Sequence, residues 1–170
     1  MRAILLVAGV GRRLHADRPK SMLEIGGQTL VARHVEALTK ASCTHLTVVV
    51  GHMQETIRQE LVRIAPKIPI SITDNPDYTE GSVVSLWHAR ADLSSTEATV
   101  VMDGDVLYPW SLLTRLRDEG GPSAFLIDGR SDETGEEMMV GVRGGRARTI
   151  ARRVGKGDEN GPWDQVGESI

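Results

Sequence analysis

Cysteine is almost missing from this chain: Cys43 stands alone. A single thiol excludes an intramolecular disulfide and any cysteine-rich zinc site. Its place between a helical pattern and a strand pattern reads as a buried structural thiol. Aromatic side chains are scarce as well, with three Trp, two Tyr and one Phe in 170 residues. No segment approaches the roughly 18 apolar residues of a membrane span, and no charged stretch leading into a long apolar run opens the chain. The expectation is a soluble, cytoplasmic protein without a membrane partner. Charge of one sign is not in large excess either. The net charge is −3 at pH 7, so the molecule as a whole is not a polyanion binder. No internal repeat and no low-complexity linker interrupts it.

What is present is apolar periodicity. At 40% hydrophobic residues the chain is long enough for one complete core, and a single domain over residues 1–170 is expected. "AILLVA" (3–8) is a short continuous apolar run closed by Gly9, the pattern of a strand buried on both faces. Val31, Val35 and Leu38 then recur at helical spacing, with Thr29 placed to cap. "HLTVVVG" (45–51) reads as a second strand; Met53, Ile57, Leu61 and Ile64 mark a second helix. "IPISIT" (68–73) is a third strand, and Ser82 is positioned to cap a helix through about Ala91, in which Trp87 reads as a packing residue. "ATVVMDGD" (98–105), a helix over Leu112–Leu116 and "SAFLID" (123–128) continue the alternation. Such alternation predicts an α/β fold: a three-layer αβα sandwich on a mostly parallel, Rossmann-like sheet. After Asp128 the helical spacing fades. "EEMMVGVRGGRARTIARRV" predicts a strand pair turning at Gly144-Gly145, and the sequence stops inside what reads as a new strand.

Charge is distributed unevenly. Residues 1–20 hold Arg2, Arg12, Arg13, Arg18 and Lys20 against Asp17 alone, and residues 143–156 hold five arginines and Lys156 with no acid. Two basic segments in a mildly acidic chain indicate a localised anion site or a solvated charge run, not a nucleic-acid face. In open α/β sheets the ligand lies beyond the carboxyl ends of the strands. That rule selects Gly9–Lys20, Gly51, Asp74–Ser85 and Asp103–Asp105.

The first of these segments, "GVGRRLHADRPK", is not a dinucleotide fingerprint, because Leu14 stands at the third glycine position. It is not a Walker A loop either. It remains a glycine loop able to turn backbone N–H groups to phosphate oxygens, flanked by Arg13 and Lys20. In "VVMDGDVLY", Asp103 and Asp105 end a buried strand and would repel unless a cation joins them or one is protonated. A shared Mg²⁺ fits, since it takes few protein carboxylates and completes its shell with water and phosphate oxygens. An Asp-Gly turn whose carboxylates cap backbone amides is the plainer alternative.

Taken together, "AILLVAGVGRRL" and "RPKSMLEIGGQTL" resemble the signature loop of the nucleotidyltransferases that activate sugar phosphates and related phospho-alcohols. Gly9, Gly11, Arg13, Pro19 and Lys20 fit that pattern; Val7 stands where an alanine is usual, and Arg12 where a small residue is common. "VVVGHMQETI", "NPDYTEGSVVSLWHAR", "VVMDGDVLY" and "GES" are similar to the phosphocholine cytidylyltransferase-like subgroup, which also includes enzymes for inositol phosphate and 2-aminoethylphosphonate.

The resemblance implies a GT-A-like fold and a Mg²⁺-dependent transfer of a nucleotidyl group, with CTP favoured, to a small phosphorylated acceptor. It implies catalytic roles for Arg13 and Lys20. Nucleotide contacts are implied at Leu6, Ala8, Gly9, Val10, Gly11 and Arg12, and again at Gly51, Gly81, Ser82 and Ser85. Asp105, supported by Asp103, would hold the metal. Lys156 and Glu168 are candidates for the acceptor, and Glu136 and Glu137 fit a solvated turn equally well. A cationic acceptor head is usually met by aromatic faces, here Tyr78, Trp87, Tyr108, Trp110 or Trp163. The family usually continues past the "GES" strand and takes a second acidic metal ligand from there; the expectation is a domain lacking that part, with a metal site that is incomplete, is completed by another chain, or belongs to a fragment of a longer enzyme, and a homo-oligomer stands among the expected partners. The alternatives are a nucleotidyltransferase using another base or a sugar 1-phosphate, and a non-catalytic nucleotide-binding module.

Overall fold

The structure is a computed structural model that describes residues 1–11, 18–119, 123–131 and 138–169. These form two compact units, Met1–Arg117 and Asp118–Ile170.

The first unit is built on four parallel strands in the order β5-β4-β1-β6. They are β1 (Arg2–Leu6), β4 (His45–Val50), β5 (Ile70–Asp74) and β6 (Thr99–Asp103). Leu5 lies between Val48 and Met102, and Leu6 between Val49 and Asp103. Because side chains alternate across a strand, the continuous apolar run of β1 feeds two cores. Ala3, Leu5 and Val7 pack on one face with Val48, Val50 and Met102, under α1 (Leu30–Lys40), α2 (Gln54–Ile64) and Leu113 of α5 (Trp110–Glu119). Ile4 and Leu6 pack on the other face with Val49, and with Leu86 and Ala89 from the α3 (Ser82–His88) and α4 (Arg90–Leu93) region. The expected sandwich of helices on both sides of a parallel sheet is therefore found. A two-residue hairpin, β2 (Glu24–Ile25) and β3 (Gln28–Thr29), precedes α1.

Local chemistry sets the helix ends. The Thr29 hydroxyl accepts from the Ala32 amide at 3.1 Å, the N-cap bond expected of that residue. Ser82, in contrast, is not a cap. It is the first helical residue of α3, and Gly81 holds the cap position with φ +114°, which side chains other than hydrogen rarely adopt. Nor does Trp87 pack in the core: it is 64% exposed, with the Arg90 guanidinium 4.7 Å from its ring centroid. Successive helix residues point about 100° apart, so with Leu86 turned toward the sheet its neighbour is carried toward solvent.

The second unit is antiparallel, in the order β7-β12-β8-β9. β8 (Met139–Arg143) and β9 (Arg146–Ala151) pair across Gly144 and Gly145, both at positive φ (60° and 67°), as the turn at Gly-Gly predicts. β10 (Gly157–Asp158) pairs with β11 (Gly161–Pro162), and β12 (Gln165–Ser169) runs between β8 and β7. "SAFLID" departs from expectation: only Ile127–Asp128 forms β7, antiparallel to β12. Ser123–Phe125 are exposed, Phe125 at 56%, so the run lacks the apolar continuity of a doubly covered strand. Among the described residues no helix is long and apolar enough to cross a membrane.

Candidate functional site

After β1 the chain goes first to β4 on one side, and only later to β6 on the other. Strand order thus reverses at β1, and a crevice opens beyond the carboxyl ends of β1 and β6, where open α/β sheets bind ligands. A cleft of about 210 Å³ lies there, entirely within the first unit. Its floor is Leu6, Val7 and Ala8; Gly9, Gly11 and Lys20 form one wall. Tyr78, Gly81, Ser82 and Ser85 form a second, and Asp103, Gly104 and Asp105 a third. The loop after β1 and the turn after β6, nearly a hundred residues apart in sequence, meet because those two strands are hydrogen-bonded neighbours.

Steric economy explains the glycines. A Cβ on Gly11, which has φ +64°, would stand 2.9 Å from Lys20 Cγ, so the lysine stem lies against bare backbone. A Cβ on Gly104 would stand 2.3 Å from Val7 Cγ1 and 2.9 Å from the Leu6 carbonyl, to which the Gly104 amide donates at 2.9 Å. Gly51 is not a cleft-lining residue, and neither is Val10. Gly51 instead leaves room for Tyr78, whose Cβ would be 2.6 Å from a Cβ there; the Tyr78 ring in turn sits 5.9 Å from the His52 ring.

Electrostatics concentrate on the β6 side. Lys20 Nζ donates to Asp105 Oδ2 at 3.2 Å. Asp103 keeps one side open to solvent, yet burial of the rest pushes its carboxyl above the usual carboxylate value, and the Asp105 charge adds to the shift. These two carboxylates share one cleft wall at an electrostatic cost that a cation would relieve. Two acids suit a Mg²⁺ ion that keeps water and phosphate oxygens as further ligands; no group of three or more His, Cys, Asp or Glu is assembled among the described residues.

Several residues that periodicity alone did not single out belong to this site. Asn75, 1% exposed, donates to Ser85 Oγ at 2.9 Å and accepts from the Asp77 amide at 2.8 Å, so it shapes the wall from Tyr78 to Ser85. Ser21 joins the lining, 3% exposed. His34 and Tyr108 lie in the core, their rings 5.6 Å apart, beside the Asp103–Asp105 turn. The signal for His34 was available: it falls three residues after Val31 on the apolar face of α1. Burial pushes the His34 imidazole below its ordinary value, the Gly104 backbone opposing in part, and pushes Tyr108 up to about 12.

The remaining expected residues fall elsewhere. Arg12, Arg13, Glu136 and Glu137 lie outside the described residues. Lys156 and Glu168 belong to the second unit, where Lys156 is exposed and Glu168 accepts from Ser131 Oγ at 2.8 Å. Trp163 is engaged there by its own neighbours, donating to the Val154 carbonyl at 3.3 Å beneath the Arg143 guanidinium.

A parallel switch-point sheet with a glycine loop, a lysine and paired acids at one cleft defines a nucleotide-handling α/β protein. The chain belongs to the MobA-like NTP transferase domain family, whose model matches residues 3–160. It is 31% identical over 160 residues to the bifunctional IPC transferase and DIPP synthase of Rubrobacter xylanophilus, covering 92% of this chain and 36% of that protein. It is 28% identical over 143 residues to the bifunctional protein GlmU of Cupriavidus pinatubonensis, covering 82% and 30%. The chain thus spans about a third of the length of these curated relatives.

Among solved structures, the inositol-1-phosphate CTP transferase of T. maritima superposes with a TM-score of 0.71 at 21% identity, over 98% of this chain and 67% of that one. The CTP:phosphocholine cytidylyltransferase LicC of Streptococcus pneumoniae gives 0.66 at 19%, over 99% and 67%. A UDP-glucose pyrophosphorylase gives 0.74 at 18%, over 99% and 73%. These likenesses establish the shared fold.

Proposed function

We propose that this chain transfers CMP from CTP to a small phosphorylated alcohol of the phosphocholine, inositol phosphate or aminoethylphosphonate kind, releasing pyrophosphate. The observation that carries the reading is the meeting of Gly9, Gly11 and Lys20 with Asp103 and Asp105 around one cleft. The two structural neighbours whose names specify CTP support cytidine as the base.

An acceptor phosphate oxygen attacks the α-phosphorus, a P–O bond forms, and the bond to the β-phosphate oxygen breaks as pyrophosphate departs. That nucleophile is already anionic, so the protein needs no general base; positioning and charge neutralisation suffice. Backbone amides of the Gly9–Gly11 loop face the phosphates, and Lys20 neutralises charge at the reacting phosphate when it leaves Asp105. By its place in the motif, Arg13 holds the departing pyrophosphate. Gly81, Ser82 and Ser85 line the wall assigned to the base. Asp105 and Asp103 would hold Mg²⁺, which when bound supplies charge compensation for the triphosphate and orients it. Lys156 and Glu168 are assigned to the acceptor.

A second reading, transfer to a sugar 1-phosphate from another triphosphate, draws on the UDP-glucose pyrophosphorylase superposition and the GlmU relatives. The deciding experiment measures pyrophosphate release with Mg²⁺ over a panel of four triphosphates crossed with phospho-alcohols and sugar 1-phosphates. CTP with a phospho-alcohol is the pair expected to turn over. Release only with a sugar 1-phosphate selects the second reading, and binding without release from any pair selects a non-catalytic nucleotide module. In the active pair, Asp105→Asn should raise the Mg²⁺ concentration needed for half-maximal rate.

A further inference from the structure

Asn75 follows β5 and is 1% exposed, so its polar atoms need partners inside the protein. Its backbone N–H donates to the Val50 carbonyl at 2.8 Å, which anchors it to β4. Its side-chain oxygen accepts from the Asp77 amide at 2.8 Å. A backbone N–H can only donate, so this bond decides which way the carboxamide faces. Nδ2 is thereby turned to Ser85 Oγ, 2.9 Å away. A carboxamide nitrogen cannot accept, so the Ser85 oxygen takes the acceptor part and its own proton must point elsewhere. The described residues give that proton no acceptor. Ser85 lines the cleft at 4% exposure, and the cleft is where the proton is left to act. A serine kept only for packing would not need a buried asparagine to set the sense of its hydroxyl.

We infer that Asn75 is a positioning residue, which holds the Ser85 hydroxyl as a hydrogen-bond donor toward the bound base and so demands an acceptor there. The inference rests on the base wall assigned above. Cytosine offers such acceptors at its ring carbonyl and at the neighbouring unprotonated ring nitrogen. Asn75 touches no ligand; it acts through Ser85.

The test is a double-mutant cycle, Asn75→Asp against Ser85→Ala, read by calorimetric binding of a non-hydrolysable CTP analogue with Mg²⁺. It is run at about pH 9, where the introduced carboxyl is ionised. That carboxylate keeps the shape of the carboxamide and still accepts from the Asp77 amide. It also accepts from Ser85, which withdraws the donor from the cleft. Each single substitution should weaken binding by about 3- to 10-fold, the worth of one net hydrogen bond. The loss from Asn75→Asp should shrink once Ser85 is already alanine, as residues acting through one contact do not add. Equal losses with and without the Ser85 hydroxyl overturn the inference, since an effect of charge or of the fold is the same in both backgrounds. Amide exchange at Asp77 in the free protein should be unchanged in Asn75→Asp. Faster exchange there assigns the loss to a loosened wall and also overturns the inference. If Asn75→Asp does not fold, Asn75→Ala takes its place in the cycle, with equal losses again the overturning result. Wild type that prefers another triphosphate analogue removes the cytidine reading instead, and the cycle on that nucleotide then decides the role of Asn75. Wild type that binds none of the four overturns both.

Discussion

Lys20 and Asp105 form an ion pair at 3.2 Å across the mouth of the cleft, joining the loop after β1 to the turn after β6. Both side chains are partly exposed, 32% and 43%, and such a pair contributes only about 0–1 kcal/mol to folding. On the proposed function its worth lies in chemistry, since it would keep a cation beside the cleft where triphosphate charge has to be met.

Lys20→Ala should therefore separate activity from stability. Turnover in the pyrophosphate-release assay is expected to fall by about 10²–10³-fold, the loss typical of a removed charge-stabilising group. Thermal unfolding should move by no more than a few degrees. An unchanged rate would take Lys20 out of the mechanism.

Val7 and Gly104 compete for the same space. Gly104→Ala places a methyl 2.3 Å from Val7 Cγ1 and 2.9 Å from the Leu6 carbonyl, and overpacking of this kind costs about 1–3 kcal/mol. Val7→Ala in the same chain should recover part of that loss, because only the side-chain clash is relieved. Denaturant midpoints of the two single variants and the double variant measure the coupling; strict additivity would refute it.

Asn75 supports the cleft wall without lining it. Asn75→Ala removes the donor to Ser85 and the acceptor for the Asp77 amide. Loosening the wall from Tyr78 to Ser85 should raise KM for the triphosphate several-fold with a smaller change in kcat. Steady-state kinetics at saturating acceptor separate the two effects.

Glu60 predicts acid sensitivity. Its carboxylate, 5% exposed, accepts from Arg63 at 2.6 Å and 2.7 Å and from the Thr29 hydroxyl. Arg63 first, and Thr29 after it, hold the Glu60 carboxyl below its ordinary value against the opposing effect of burial. A carboxyl depressed in the folded state stabilises the fold above the unfolded value and loses that contribution as pH falls through the folded one. Stability should decline below about pH 4.5, the ordinary glutamate value. Glu60→Gln should be less stable at pH 7 by about 1–2 kcal/mol and flatter across pH 5 to 3 in urea titrations. Parallel curves would remove Glu60 as the source.

The helices and parallel strands of the first unit were legible because each carries its own period. Leu5 and Ile4 needed only alternation to be assigned to opposite faces, and Thr29 announced the start of α1. The glycine loop and "MDGD" were legible as chemistry because glycine beside cations and paired acids are costly to keep without a ligand. His34 hid among its neighbours: on the apolar face of α1 it resembles a core residue until its ring is seen against Tyr108. Trp87 misled for the opposite reason, since hydrophobicity indicates burial on average but not which side of a short helix faces water. "SAFLID" misled because a six-residue run does not say which sheet it will join.

By itself, then, the sequence determined an α/β architecture, the glycine loop after β1, the acidic turn and the strand pair at Gly144-Gly145. These rest on contacts within about ten residues, where periodicity and turn chemistry act directly. Only the tertiary structure decided that Lys20 reaches Asp105, that Gly104 must yield its volume to Val7, and that His34 packs against Tyr108. Those pairings join residues brought together by strand order and crossover, and no local pattern records which distant segment will be the neighbour.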